Sequence, residues 1–113
     1  MNKLVTKKSS LTFSERVVKA TLSIPPGKVS TYGRIARAAG GGGPSAQSVT
    51  AVLGKAYQAG EVNIPFHRIV YADGRVWVNS RNKTERLKRY KKEGILVDKK
   101  GRISNFIDVL FEF

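Results

Sequence analysis

Ile64-Pro65-Phe66-His67-Arg68-Ile69-Val70 is the stretch around which the chain is organised, and it holds the only histidine among 113 residues. Pro65 has no backbone N–H and a fixed φ, so it marks the entry to a strand, and β-branched Ile69 and Val70 suit a buried one. A lone histidine is more often a satisfied structural group than a catalyst, so His67 decides little by itself. Its surroundings decide more. Upstream the chain reads as a small helical platform; downstream it reads as a hairpin and a basic helix placed to close over a pocket.

Working back from Ile64, Pro25-Pro26-Gly27 ends a helix predicted near Phe13–Ser23. Thr12 and Glu15 form a capping-box pattern at its start, and Val17, Val18, Leu22 and Ile24 are its apolar face. Ser30 or Thr31 caps a second helix, with Ile35 and Ala38 inward and Arg34 and Arg37 outward, stopped by Gly40–Gly43. Pro44 suits the first turn of a third helix that runs to about Ala56 and buries Ala46, Val49, Val52 and Leu53. Its other face is small and polar: Ser45, Gln47, Ser48, Thr50 and Ala51. Such a face approaches a nucleic-acid groove closely, and Gln or Ser can touch base edges or phosphates. Two short helices joined by a glycine turn fit a helix-turn-helix, although any two packed helices share the pattern.

Beyond a loop at Tyr57–Asn63, the β-rich runs His67–Tyr71 and Arg75–Val78 flank Ala72-Asp73-Gly74, which predicts a hairpin where the wing of a winged helix sits. Asn82 and Glu85 offer a cap for a helix over Thr84–Glu93, with Leu87 and Tyr90 inward and Arg86, Lys88, Arg89, Lys91 and Lys92 outward. Gly94 supplies its left-handed C-cap and Ile95 packs back. Ile95–Asp98 and Arg102–Phe106 predict a terminal hairpin, followed by a docked tail to Phe113. The expected fold class is α+β: a winged helix-turn-helix domain, mostly helical, with a small β-hairpin wing. A single domain is expected over residues 12–113, with a flexible basic arm over residues 1–11.

Hydrophobic residues make up 41% of the sequence, enough for one core, and no apolar run is long enough to span a bilayer. The basic N-terminus lacks the apolar segment of a signal peptide, so an intracellular location is expected, in the cytoplasm with the nucleoid or in a nucleus. The absence of cysteine excludes a disulfide, a thiolate nucleophile and cysteine metal ligands, and a single histidine makes a conventional zinc site unexpected. No metal or cofactor is called for. The formal net charge of +13 creates self-repulsion that polyanion binding relieves. No basic amphipathic helix with a bulky apolar face is visible, which favours nucleic acid over a membrane surface. Double-stranded DNA is the expected partner, bound by a monomer.

Three stretches in order then carry a resemblance: Ile24-Pro25-Pro26-Gly27-Lys28-Val29-Ser30-Thr31-Tyr32-Gly33, Pro65-Phe66-His67-Arg68-Ile69-Val70, and Glu93-Gly94. Together they resemble the DNA-binding domain of the O6-alkylguanine-DNA alkyltransferases over roughly Phe13–Gly94. Repairing members carry Pro-Cys-His-Arg and move the alkyl group to the cysteine sulfur, chemistry that needs a thiolate beside a proton-accepting histidine. Phe66 occupies that position, so self-alkylating repair is excluded on chemical grounds. The arrangement is similar to the alkyltransferase-like proteins, which bind alkylated DNA, flip the nucleotide into a pocket and hand the site to nucleotide excision repair.

The resemblance implies further roles. Tyr32 matches the tyrosine that helps rotate the nucleotide and contacts the flipped base; otherwise it is a core aromatic. Ile69 falls where a backbone carbonyl meets the base, and Ser80 where a loop serine faces O6. Phe66, Ile69, Trp77, Asn79 and Ser80 with Tyr32 make the expected lesion pocket. Tyr32, Ser45, Gln47, Ser48, Thr50, Ala51 and Arg75 make the expected DNA contacts, with the third helix in the minor groove. His67, Arg68 and Glu93 remain as a structural relay with nothing to activate. Two departures stand out: Gln47 replaces the arginine that fills the gap left by the extruded base, and Thr50 stands at a usual glycine. Gln lacks the charge and stacking area of arginine. An alternative function is general winged-helix duplex binding, architectural or regulatory, without lesion selectivity. An enzyme using His67 and Glu93 as a base pair finds no nucleophile, metal site or oxyanion motif in the sequence.

Overall fold

The computed structural model describes residues 11–113, so the expected arm over residues 1–11 lies outside the described residues but for Leu11. Helix α1 spans Phe13–Leu22 and opens with the expected capping box: Glu15 N–H donates to Thr12 Oγ1 (3.1 Å), and Thr12 N–H to Glu15 Oε1 (2.8 Å). Its inward stripe differs from the expected one. Thr21 is buried one turn after Val17, donating its hydroxyl to the Val17 carbonyl at 2.8 Å, while Leu22 is exposed. That internal hydrogen bond satisfies the Thr21 hydroxyl and lets it take the buried place in the stripe that Leu22 leaves.

Thr31 caps helix α2, Tyr32–Ala38, accepting from Arg34 N–H. Ile35 faces in as expected, but Ala36 and Ala39 are buried and Ala38 is exposed. Gly40 ends the helix at φ +86°, and Gly41 follows in a crevice where a Cβ would lie 2.7 Å from Ser45 Cβ and 2.8 Å from Phe13 Cε1. The next segment enters as a 3₁₀ turn over Gly43–Ser48, not as α-helix; helix α3 proper runs Val49–Gln58. Pro44 lacks the N–H for a ladder, and Ser48 donates its hydroxyl to the Ser45 carbonyl at 2.8 Å, which favours the tighter i→i+3 turn.

Pro65 leads into a 3₁₀ turn at Phe66–Arg68, and only Ile69–Val70 is strand, β2. It pairs parallel with β1, Ser30–Thr31, in register Ser30↔Ile69 and Thr31↔Val70. The wing differs from a simple hairpin. The turn closes through Tyr71 N–H to Arg75 carbonyl (3.0 Å) and Gly74 N–H to Tyr71 carbonyl (2.9 Å), but the flanking runs form no ladder. Strand β2 is committed to β1, and Arg75 bridges antiparallel to Arg102 instead. Asp73 accepts from both guanidinium groups, at 3.0 and 3.3 Å, and holds that corner.

Helix α4, Lys83–Lys92, begins without a side-chain cap because Asn82 Oδ1 accepts from Asn79 N–H at 2.8 Å instead. Gly94 at φ +76° ends it, and Ile95 N–H donates to the Tyr90 carbonyl. The terminal turn forms at Val97↔Ile103, and helix α5, Phe106–Val109, starts the docked tail. Val29 N–H and carbonyl then bond Val109 carbonyl and Phe111 N–H at 2.9 and 2.8 Å, so the tail lies against Val29, just before β1.

Strand alternation splits the core. Ile69 joins Val17, Ile24, Ile35, Val49, Leu53 and Ile64 between the helices, whereas Val70 joins Val29, Val76, Tyr90, Ile95, Ile103 and Val109 beneath the wing. The fold is thus mostly helical with a two-stranded sheet at its centre, and the motif segment sits on the seam.

Candidate nucleic-acid interface and aromatic cleft

The 3₁₀ turn after Pro65 turns Phe66 and His67 to different surroundings. Phe66 and Ile69 line a cleft of about 480 Å³ together with Tyr32, Gln47, Thr50 and Trp77. These six include side chains from both helices of the helix-turn-helix, the motif turn and the wing. Ala46, Leu53, Tyr71 and Arg86 complete the walls. The size suits a small-molecule or base pocket, for which about 300–1,000 Å³ is usual. Phe66 forms part of the wall, its ring edge-on to Tyr57 at 5.9 Å. Tyr32 lies 5.9 Å from Tyr71, and Trp77 is 43% exposed, so an open aromatic surface faces the cleft. Burial pushes the Tyr32 phenol above its usual range, helped by Tyr71 and opposed by Thr50 and Arg86.

Two residues expected in the pocket lie elsewhere. Asn79 and Ser80 are outside the cleft, in the loop before α4. The Asn79 side chain accepts from Arg81 and Asn82 N–H, both at 2.9 Å, so its polar end is taken up in shaping that loop. Arg86 fills part of the wall instead, contrary to its expected outward placement. It is half-buried, donates Nη1–H to the Trp77 carbonyl at 2.9 Å and lies 5.2 Å over the Trp77 ring. Its position one helical turn before the inward Tyr90 was the signal available for this.

Around the mouth, Gln47, Ser48 and Thr50 are exposed and Ser45 is half-buried, on the 3₁₀ turn and the first turn of α3. Gln47 and Thr50 face the cleft, whereas Ala51 faces a larger groove of about 780 Å³ between α1 and α3, lined also by Ser14, Glu15, Val18, Lys55 and Glu61. Arg75 is exposed at the wing turn, paired with Asp73 and 5.2 Å from the Tyr71 ring centroid.

His67 is turned away from the cleft. Its Nε2–H donates to Glu93 Oε2 at 2.9 Å, and Tyr90 donates its hydroxyl to the His67 carbonyl at 2.6 Å. Arg68 grips the same carboxylate in a fork, Nε to Oε1 at 3.1 Å and Nη2 to Oε2 at 2.9 Å, and also reaches the Ile24 carbonyl. Gly27 N–H adds a fourth donor at 3.1 Å. Burial raises the Glu93 carboxyl, but Arg68, Gly27 and His67 outweigh it and bring its pKa down to about 2. Burial lowers the His67 pKa despite Glu93, which favours the neutral ring. Glu93 thus ties the proline-rich turn, the motif turn and the end of α4 into one cluster, which holds Phe66 at the cleft. His67, Arg68 and Gly27 thereby clamp these segments together through one carboxylate.

Several known proteins are similar. The family described as 6-O-methylguanine DNA methyltransferase, DNA binding domain, matches residues 12–95. A protein of Vibrio parahaemolyticus named DNA base-flipping protein is 35% identical over 81 residues, which is 72% of this chain and 78% of that protein. The crystal structure of S. pombe Atl1 in complex with damaged DNA containing O6-carboxymethylguanine matches with a TM-score of 0.68 and 29% identity, covering 89% of this chain and 95% of that one. A second structure, S. pombe ATL in complex with DNA, matches over the same shares at a TM-score of 0.63 and 28% identity.

Proposed function

This chain belongs to the 6-O-methylguanine DNA methyltransferase DNA-binding-domain family, as an alkyltransferase-like member, and from that premise we propose that it reads O6-alkylguanine in duplex DNA by flipping the nucleotide, without repairing it. The observation that carries this reading is the cleft where Tyr32, Phe66, Ile69 and Trp77 meet beside Gln47 and Thr50. Phe66 stands where the alkyl acceptor would be, and a hydrocarbon ring has no lone pair with which to accept an alkyl group. It offers instead a face or edge against which a flipped base packs. The exposed polar residues of the 3₁₀ turn and α3 approach the minor groove, and Arg75 adds a cation at the wing. Flipping costs a few kcal/mol, least at a weakened pair, so an alkylated pair favours it.

The bound lesion then serves as a flag for nucleotide excision repair proteins inside the cell, with the chain acting as a monomer; that step rests on the family resemblance. The test of flipping is fluorescence of a 2-aminopurine placed beside the lesion. Wild type raises it on binding, whereas Tyr32→Ala binds with little rise. An equal rise in both sinks the role given to Tyr32. A second reading, duplex binding without lesion selectivity, draws on the net charge of +13 and on Gln47, which cannot stack in the vacated site as arginine does.

A further inference from the structure

Among the described residues, Arg86 is the only charged side chain on the walls of the aromatic cleft. Trp77 holds it in place through the carbonyl contact at 2.9 Å and the ring contact at 5.2 Å, but neither supplies a counter-charge. Among the described residues no carboxylate lines the cleft and Arg86 forms no salt bridge; the neighbouring Glu85 pairs with Arg89 at 3.5 Å. A half-buried guanidinium with four of its N–H groups outside the Trp77 bond favours an anion, and its planar fork matches a carboxylate in particular. A neutral substituent entering the cleft displaces water from the cation and gives nothing back.

We propose that Arg86 makes the cleft selective for O6-guanine adducts bearing a carboxylate over neutral adducts of the same size, an inference that rests on the lesion reading above. Arg86 then determines specificity for the substituent, while Tyr32, Phe66 and Trp77 receive the base and the adduct's carbon chain.

The test compares matched duplexes holding guanine, O6-methylguanine, O6-carboxymethylguanine or its neutral carbamoylmethyl isostere. The phosphates are common to all, so the ratio of the last two affinities cancels the counterion term. Wild type is expected to favour the carboxylate about tenfold, and the ratio shrinks as salt rises. Arg86→Gln brings the ratio towards one, and Arg86→Lys keeps part of it. A wild-type ratio near one overturns the proposal, as does an Arg86→Gln protein that keeps the full ratio or weakens all the duplexes equally, the mark of a phosphate contact. If methyl is distinguished from guanine but carboxylate is not distinguished from amide, only this inference fails. If no adduct is distinguished from guanine, the lesion reading fails with it.

Discussion

Replacing Glu93 by Gln should cost this small domain about 3 kcal/mol near neutral pH. The fall of the Glu93 pKa from 4.5 to about 2, taken at about 1.36 kcal/mol per unit, is worth roughly that much. The side chain is only 13% exposed, so little of it is lost to solvent screening. Gln keeps the shape but turns an amide N–H₂ towards Arg68 or His67 and leaves the Arg68 guanidinium without its counter-charge. The sign follows from the direction of the shift. The folded pKa lies below the unfolded one, so the contribution is complete above about 4.5 and is lost as the pH falls towards about 2. Urea unfolding of both proteins across this range should show a gap of about 3 kcal/mol near neutral pH that narrows steadily on acidification. A loss under about 1 kcal/mol, or a gap as wide at the acid end as at neutral pH, would refute the clamp.

Three further substitutions test other links. Tyr90→Phe leaves the His67 carbonyl without its buried donor at 2.6 Å and should cost about 1–2 kcal/mol in thermal unfolding. Gly41→Ala puts a methyl 2.7–2.8 Å from Ser45 and Phe13, so unfolding should show a loss of about 1–3 kcal/mol, with weaker DNA binding because the 3₁₀ turn moves. Gln47→Arg should tighten binding to a lesion duplex more than to an unmodified one, since the guanidinium supplies stacking area in the vacated site as well as charge; equal tightening in a filter-binding titration would reduce its effect to phosphate attraction.

Short-range chemistry was well expressed in the sequence. The Thr12–Glu15 box, the Thr31 cap, the left-handed Gly94 and the inward Tyr90 follow from local spacing, which sets local hydrogen bonds. Partners distant in the chain were not. The wing looked like a hairpin because Asp73-Gly74 shapes the turn, yet the neighbour of Arg75 is Arg102, a pairing that no local pattern announces. Asn82 offered a cap, but Asn79 claims its side-chain oxygen. The cleft divides in the same way. Tyr32, Phe66, Ile69 and Trp77 converge because the motif turn lies on the seam between the two cores. Arg86 reads as one more outward cation on charge alone, although its place one helical turn before Tyr90 sets it beside the inward face, and no local pattern announces the cavity there.

Lesion reading without chemistry on the lesion can be checked on the DNA itself. Its most direct measurement is a titration of duplexes that differ only in guanine or O6-methylguanine, at two salt concentrations, followed by recovery of the DNA. The lesion duplex should be preferred by at least about tenfold, close to 1.4 kcal/mol, at both salt concentrations while both affinities fall with salt, and the lesion should be recovered intact. Equal and strongly salt-dependent binding would contradict it, leaving a general duplex binder whose cleft no longer reads lesions.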